Sequence, residues 1–425
     1  MALIDTVRAS LRTPGLRRRI LITIAMLLVF RVGAHIPVPG VRADVIEQLF
    51  RGGGGLLGLI DVISGGAFRT FSIFAMSVIP YINASIIMQL LTVVIPRLEE
   101  LQKEGEEGRR KIQEYVRYGT VVLAVVQGFG TAVFVRNQGA LVSGSWGWVA
   151  LIVLSLTAGT AFLMWVGEQI TEHGIGNGIS LLIFASIVSR VPAALVGMAE
   201  LVRTGALNVL QVLAVIVLAI LIVAFTVVVT EGVRKVPVQY AKRVVGRRLY
   251  GGQSTHLPMK VNQAGVIPVI FAQSLLVFPV TVANFFSQTH PVVMFINRWL
   301  GFQSPIYLLL FGLLTFLFTF FYTEITFQPD QVADNIKKAG GFIPGLRPGR
   351  PTAEYLARVS SRITFVGALF LAAITLLPYG IIAITGVQQA YIGGTSLLIV
   401  VGVAIETMRQ VEAHLVLRQY QGFMK

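Results

Sequence analysis

Eight stretches of about 18 to 26 residues run through this chain without a single charged side chain, and two more carry only Arg31 with His35, or Arg190. Each is long enough to cross a hydrocarbon core, which takes about 20 mostly apolar residues in a helix. The ten segments are 20–38, 70–95, 118–135, 147–167, 178–198, 206–230, 264–286, 304–323, 363–385 and 387–405. In lipid every backbone polar group must be satisfied within the segment, so repeated spans of this kind are helices. Only 13% of the 425 residues are charged, against about 25% in soluble domains, so polar surface is too scarce to cover a globule. The expected fold is an all-α polytopic membrane protein. No cleavable leader is expected, because the first apolar run leads straight into the multi-span pattern.

Ten spans place both termini on one side. The segments on that side (1–19, 96–117, 168–177, 231–263, 324–362 and 406–425) hold 27 of the 35 Lys and Arg residues. Cytoplasmic loops retain Lys and Arg, so this side, with the N- and C-termini, is expected to be cytoplasmic. The net charge of +15 is thereby a topology signal first.

Two local patterns recur five spans apart. Val78-Ile79-Pro80-Tyr81-Ile82-Asn83-Ala84 in the second span matches Val266-Ile267-Pro268-Val269-Ile270-Phe271-Ala272 in the seventh. Ile175-Gly176-Asn177-Gly178-Ile179-Ser180-Leu181-Leu182-Ile183 in the fifth matches Ile392-Gly393-Gly394-Thr395-Ser396-Leu397-Leu398-Ile399 in the tenth. Five is odd, so the implied halves are inverted, an arrangement that places a pathway at their interface. The expected division is 1–205 (spans one to five), 206–410 (spans six to ten) and a tail, 411–425.

Residues 52–67, GGGGLLGLIDVISGGA, fit no span. Their apolar stretch, Leu56 to Ile63, is roughly 12 Å long at 1.5 Å per residue. Such a piece either lies at the interface or re-enters the membrane where protein or a water-filled cavity surrounds it. The sequence leaves both open.

Catalytic signatures are missing: there is no GxxxxGK[ST], HExxH or GxSxG. Zero cysteines exclude disulfide scaffolds and thiolate chemistry. Apart from Arg31, His35 and Arg190 the spans offer only neutral polar residues, among them Asn83, Gln89, Gln127, Gln273, Ser274 and Asn284. Ion-coupled transport normally uses intramembrane acids, and none is present; no cofactor or metal is expected. The loops 231–263 and 324–362 carry Arg243, Arg247, Arg248, Lys337, Lys338, Arg347 and Arg350. Arrays this dense suit RNA phosphates or an acidic protein as well as lipid headgroups.

FRVGAHIPVPG (30–40), SIFAMSVIPYINASIIMQLL (72–91), ITEHGIGNGISLLIF (170–184), STHLPMKVNQAGVIPVIFA (254–272), FQPDQVADNIKKAGGFIPGLRPGRPTAEYL (327–356) and YIGGTSLLIVVGVAIE (391–406) closely resemble the SecY family, central subunits of the bacterial Sec protein-conducting channel. The resemblance runs from the first span to the tail. It implies ten transmembrane helices in two inverted five-helix halves around a central pore, in the cytoplasmic membrane. The pore ring would be Val78, Ile82, Ile183, Ile187, Ile270 and Ile399, with Val at its first position. The internal repeat pairs Ile82 with Ile270 and Ile183 with Ile399, so two lines meet on four isoleucines. The plug would comprise Leu56, Leu57, Leu59, Ile60, Asp61, Val62, Ile63 and Ser64. Asn83, Gln127, Gln273 and Ser274 would hold a lateral gate between spans two and three and spans seven and eight. Implied partners are the small membrane subunits SecE and SecG, the motor ATPase SecA, the ribosome, and preproteins bearing signal sequences. A solute transporter on inverted repeats and a ribosome-recruiting scaffold remain as alternatives.

Overall fold

The computed structural model describes residues 14–42, 44–46, 48, 64–205, 207–240, 243–245, 248–250, 254–283, 290–301, 304–385 and 395–423. Each of the ten expected segments contains a helix. In chain order these are α1 (Pro14–Gly33), α2 (Ile79–Val94), α4 (Glu106–Asn137), α5 (Trp146–His173), α6 (Gly178–Val188) continued by α7 (Val191–Arg203), α8 (Val209–Glu231), α9 (Ile267–Ala283), α11 (Pro305–Thr326), α13 (Arg350–Thr385) and α14 (Thr395–Phe423). Between them lie α3 (Pro96–Lys103), α10 (Pro291–Trp299) and α12 (Pro329–Lys338). Among the described residues six helices are long and apolar enough to cross a membrane, and the bent pair α2–α3 makes a seventh.

Sequence explains the helix limits. Proline near the start is tolerated, since its missing N–H lies among the first, unbonded donors; Pro80 opens α2 and Pro96 opens α3, which turns away from α2 by 99°. The Ser145 hydroxyl accepts from the Gly147 N–H at the start of α5, and the Asn177 side chain accepts from the Ser180 N–H at the start of α6, as N-caps do. The 32 residues of α4 measure roughly 48 Å at 1.5 Å per residue. It is therefore longer than a bilayer core is thick, and its charge is concentrated in its first turns, EEGRRKIQEYVR.

Contacts divide the chain into two compact units. One comprises Met1–Val212, Gln273–Leu308 and Val403–Lys425, the other Leu213–Ala272 and Leu309–Gly402. The core of the first gathers Phe71, Ala75 and Met76 with Ala124, Ala132 and Val135 of α4, Ile152 and Leu156 of α5, and Val277 of α9. Small residues allow close backbone approach there, as in membrane helix packing: a Cβ on Gly159 would run into the carbonyl of Ile73, and one on Gly178 into that of Gly167.

The second unit contains structure that the sequence reading left as loop. Strand β1 (Val233–Tyr240) pairs antiparallel with β4 (Ser254–Lys260), from Val233 opposite Lys260 to Gln239 opposite Ser254, and its end pairs with β5 (Gly341–Phe342). A second ladder joins β2 (Arg243–Val245) and β3 (Arg248–Tyr250). Val236, Val238 and Met259 are buried against Ile336 of α12, Ile343, and Leu356, Val359 and Ile363 of α13. The spans are helical, as expected; the two basic loops are built as a small sheet on a helical base.

One further difference concerns the second span. Residues 70–78 were expected to be its first third, yet helix starts only at Ile79, and 64–78 run as turns interrupted by a bridge from Ser72 to Pro37. Phe71 and Ser77 have φ of 44° and 52°, the left-handed region that L side chains rarely occupy, and a helix cannot pass through them.

Candidate pore and its seal

In the first unit the expected ring residues come in two pairs four apart. Val78 caps α2 and Ile82 lies in its first turn; Ile183 and Ile187 lie on α6. A spacing of four puts both members of a pair on one helix face, and all four are buried. In the second unit Ile270 lies in the first turn of α9, half-buried, and Ile399 is buried on α14. Five of the six are isoleucine and the sixth is valine. These side chains are stiff at χ1 and carry no group that hydrates an ion.

Of the expected plug, Leu56, Leu57, Leu59, Ile60, Asp61, Val62 and Ile63 lie outside the described residues, and Ser64 is described. Ser64 is buried, and its hydroxyl accepts from the Phe68 N–H at 3.1 Å. The next residue, Gly65, has φ of +67°, and a Cβ there would lie 2.9 Å from the Cα of Ser186. Ser186 stands between Ile183 and Ile187, so the end of the glycine-bounded segment rests on the helix that carries two ring residues. Glycine is required twice here, by the left-handed backbone and by the close approach.

Arg31, whose role the sequence did not settle, holds this seat. Its Nη1 donates to the Gly65 carbonyl at 3.0 Å and to the Ser189 hydroxyl at 3.2 Å. Ser189 in turn donates to the Ser186 carbonyl at 2.8 Å. A cavity of about 340 Å³ opens beside the guanidinium, lined by Leu27, Phe30, Phe184, Ala185 and Val188. The sequence signal for Arg31 was its cost: a charge within a span is expensive and faces protein or water. Arg190, the other such charge, falls at the break between α6 and α7, as the N-cap of α7.

The four expected gate residues are all buried: Asn83 on α2, Gln127 on α4, and Gln273 and Ser274 on α9. The Asn83 amide nitrogen has no hydrogen-bond partner among the described residues. A polar group left unpaired in a dry interior costs about 1–3 kcal/mol. At the same end of α2, Gln113 of α4 donates to the Tyr81 hydroxyl at 3.1 Å, and Arg117 of α4 donates to Glu168 of α5 at 2.7 Å. This polar set ties α2, α4 and α5 into one body.

Of the expected docking residues, Lys337, Lys338, Arg347 and Arg350 are exposed. The two lysines end α12, whose other face buries Ala333 and Ile336. Arg350 pairs with Glu354 at 3.2 Å in an exposed ion pair. Arg243 and Arg248 fall on β2 and β3, and Arg247 lies outside the described residues.

The SecY family model matches residues 72–408. The protein translocase subunit SecY of Halalkalibacterium halodurans is 48% identical over 99% of this chain and 99% of its own length. A solved structure of a protein-conducting channel superposes with a TM-score of 0.67 at 18% identity, over 93% of this chain and 92% of that one. Sec61 in the canine ribosome–channel complex from the endoplasmic reticulum does so with a TM-score of 0.63 at 17% identity, over 93% and 92%. At such identities the structural likeness carries the fold, while the family rests on the sequence match along nearly the whole chain. With a family model that covers residues 72–408 and relatives nearly half identical along almost their whole length, the chain belongs to the SecY family of protein translocase subunits.

Proposed function

We propose that the chain forms a gated, passive passage that carries unfolded polypeptides across the cytoplasmic membrane and releases apolar segments sideways into lipid. The observation that carries this is Gly65, at the end of the glycine-bounded segment, seated on Ser186 between Ile183 and Ile187 and held there by Arg31. A ring of stiff apolar side chains dewets and blocks ions, yet closes around an extended backbone without selecting its sequence. Val78, Ile82, Ile183, Ile187, Ile270 and Ile399 form that ring, and residues 56–64 form the plug that leaves it when the passage opens.

The second output follows from partitioning. Each Leu or Ile at the centre of a span favours insertion by roughly 0.3–0.6 kcal/mol, so an apolar segment of about 20 residues leaves a wet pore for lipid once a side opens. Asn83, Gln127, Gln273 and Ser274 are the polar contacts of that side gate. Movement is supplied from outside the chain. Partners with acidic or phosphate surfaces, the SecA motor and the ribosome, dock on the basic loops at Arg243, Arg247, Arg248, Lys337, Lys338, Arg347 and Arg350. SecE and SecG complete the complex, the termini are cytoplasmic, and the chain itself performs no catalysis. Membership of a translocase family favours a polypeptide over a small solute as cargo.

The absence of cysteine makes the test clean, since any introduced thiol is unique. Cysteine at Ile82 or Ile270 is expected to crosslink to a translocating chain arrested midway, and cysteine at the exposed Leu221 is not. Confirmed translocation with no adduct at either ring position overturns the assignment.

A further inference from the structure

Where α11 meets α12 and α13, a cavity of about 460 Å³ opens at the end of a membrane-spanning helix, within the range of small-molecule sites. Its mouth carries Glu324 and Asp330, both exposed. Neither carboxylate has an ion-pair or hydrogen-bond partner among the described residues. Glu324 is placed against the local field. It stands in the last turn of the 22-residue α11, which carries no basic residue, and a helix C-terminus disfavours negative charge. A carboxylate kept there in a chain of net charge +15 calls for a cation from outside.

The cavity wall supplies a second, independent observation. Ser360 and Thr364, one turn apart on α13, are 7% and 4% exposed and line the cavity. Neither hydroxyl has a hydrogen-bond partner among the described residues, and both oxygens remain open to the cavity although their residues are otherwise buried. Phe320 and Phe327 form the apolar part of the wall.

We propose that this cavity seats the headgroup of a primary-amine phospholipid, with the ammonium between Glu324 and Asp330 and the phosphodiester oxygens accepting from Ser360 and Thr364. The acyl chains leave along Phe320 and Phe327. Location selects a lipid, because the cavity lies at the level where a spanning helix ends and headgroups begin. Charge selects its class. An anionic headgroup meets two carboxylates, and a quaternary ammonium has no N–H to donate to them.

The test is native mass spectrometry of the full chain, with its copurifying subunits, loaded with phosphatidylethanolamine or with phosphatidylcholine of the same acyl chains. The expected result is several-fold greater retention of phosphatidylethanolamine. Glu324→Gln, a surface change that leaves packing intact, is expected to bring the ratio close to one without altering phosphatidylcholine retention or thermal unfolding. Ser360→Ala with Thr364→Val is expected to do the same from the other side of the headgroup. Equal retention of the two lipids by the unmodified chain overturns the proposal. So does an undiminished preference in Glu324→Gln, and a cation from a protein partner then becomes the occupant to seek.

Discussion

A guanidinium at membrane depth is costly, and Arg31 is kept there with two acceptors in place. Hydrogen bonds from a charged donor contribute about 1.5–3 kcal/mol each. Arg31→Ala removes both, leaving Gly65 to hold its seat on Ser186 by packing alone. Only the bond to the Gly65 carbonyl ties the segment to its seat, and a loss of about 2 kcal/mol for that one bond shifts a closed-to-open ratio roughly 30-fold. The expected outcome is raised ion conductance of the resting channel and passage of substrates with defective signal sequences. Arg31→Lys keeps one donor group and is expected to fall between. Resting conductance equal to that of the unchanged protein in Arg31→Ala would show that the contact is structural only. The role of Arg31 was not legible beforehand. Composition marks the charge as expensive, but only the fold brings residues 31, 65 and 189 together.

Helices are the scale at which the sequence was most legible, and packing at this scale makes its own prediction. The connection from α5 to α6 is tight enough that a Cβ on Gly178 meets the Gly167 backbone, whereas one on Gly197 of α7 meets nothing. Gly178→Val is expected to destabilise the protein by about 1–3 kcal/mol, as overpacking does. Gly197→Ala is expected to leave stability unchanged; thermal unfolding in detergent compares the two. Ten apolar stretches foretold ten helical segments because lipid permits little else. Two failures are instructive. Residues 70–78 are apolar enough to belong to a span, but left-handed backbone at Phe71 and Ser77 and Pro80 at the helix start keep the helix from beginning before Ile79, and composition registers none of this. Strand β1 was passed over for the opposite reason. Its Arg234 and Lys235 drew attention to charge, while Val236 and Val238, two apart, are buried in the period of a strand with one buried face.

At the scale of the whole molecule, charge outside the bilayer and apolar side chains within it divide the labour. The basic loops are expected to bind partners, and the ring and plug to seal. Because the loop segments are folded on a core of their own, with Lys337, Lys338 and Arg347 exposed on its surface, their charge can be changed without touching the seal. Lys337→Glu, Lys338→Glu and Arg347→Glu together replace three positive charges by three negative ones. Exposed charges act across water and are screened over about 8 Å at physiological ionic strength, and binding to phosphate arrays weakens as salt rises. Ribosome co-sedimentation is therefore expected to fall several-fold in the triple variant at moderate salt, with a shallower dependence on salt than in the unchanged protein. Resting ion conductance is expected to stay at the level of the unchanged protein, since Arg31, Gly65 and the isoleucine pairs are intact. Undiminished ribosome binding would move the docking surface off α12 and the segment after β5. A leaking triple variant would show that docking surface and seal are mechanically joined, and the division of labour would fail.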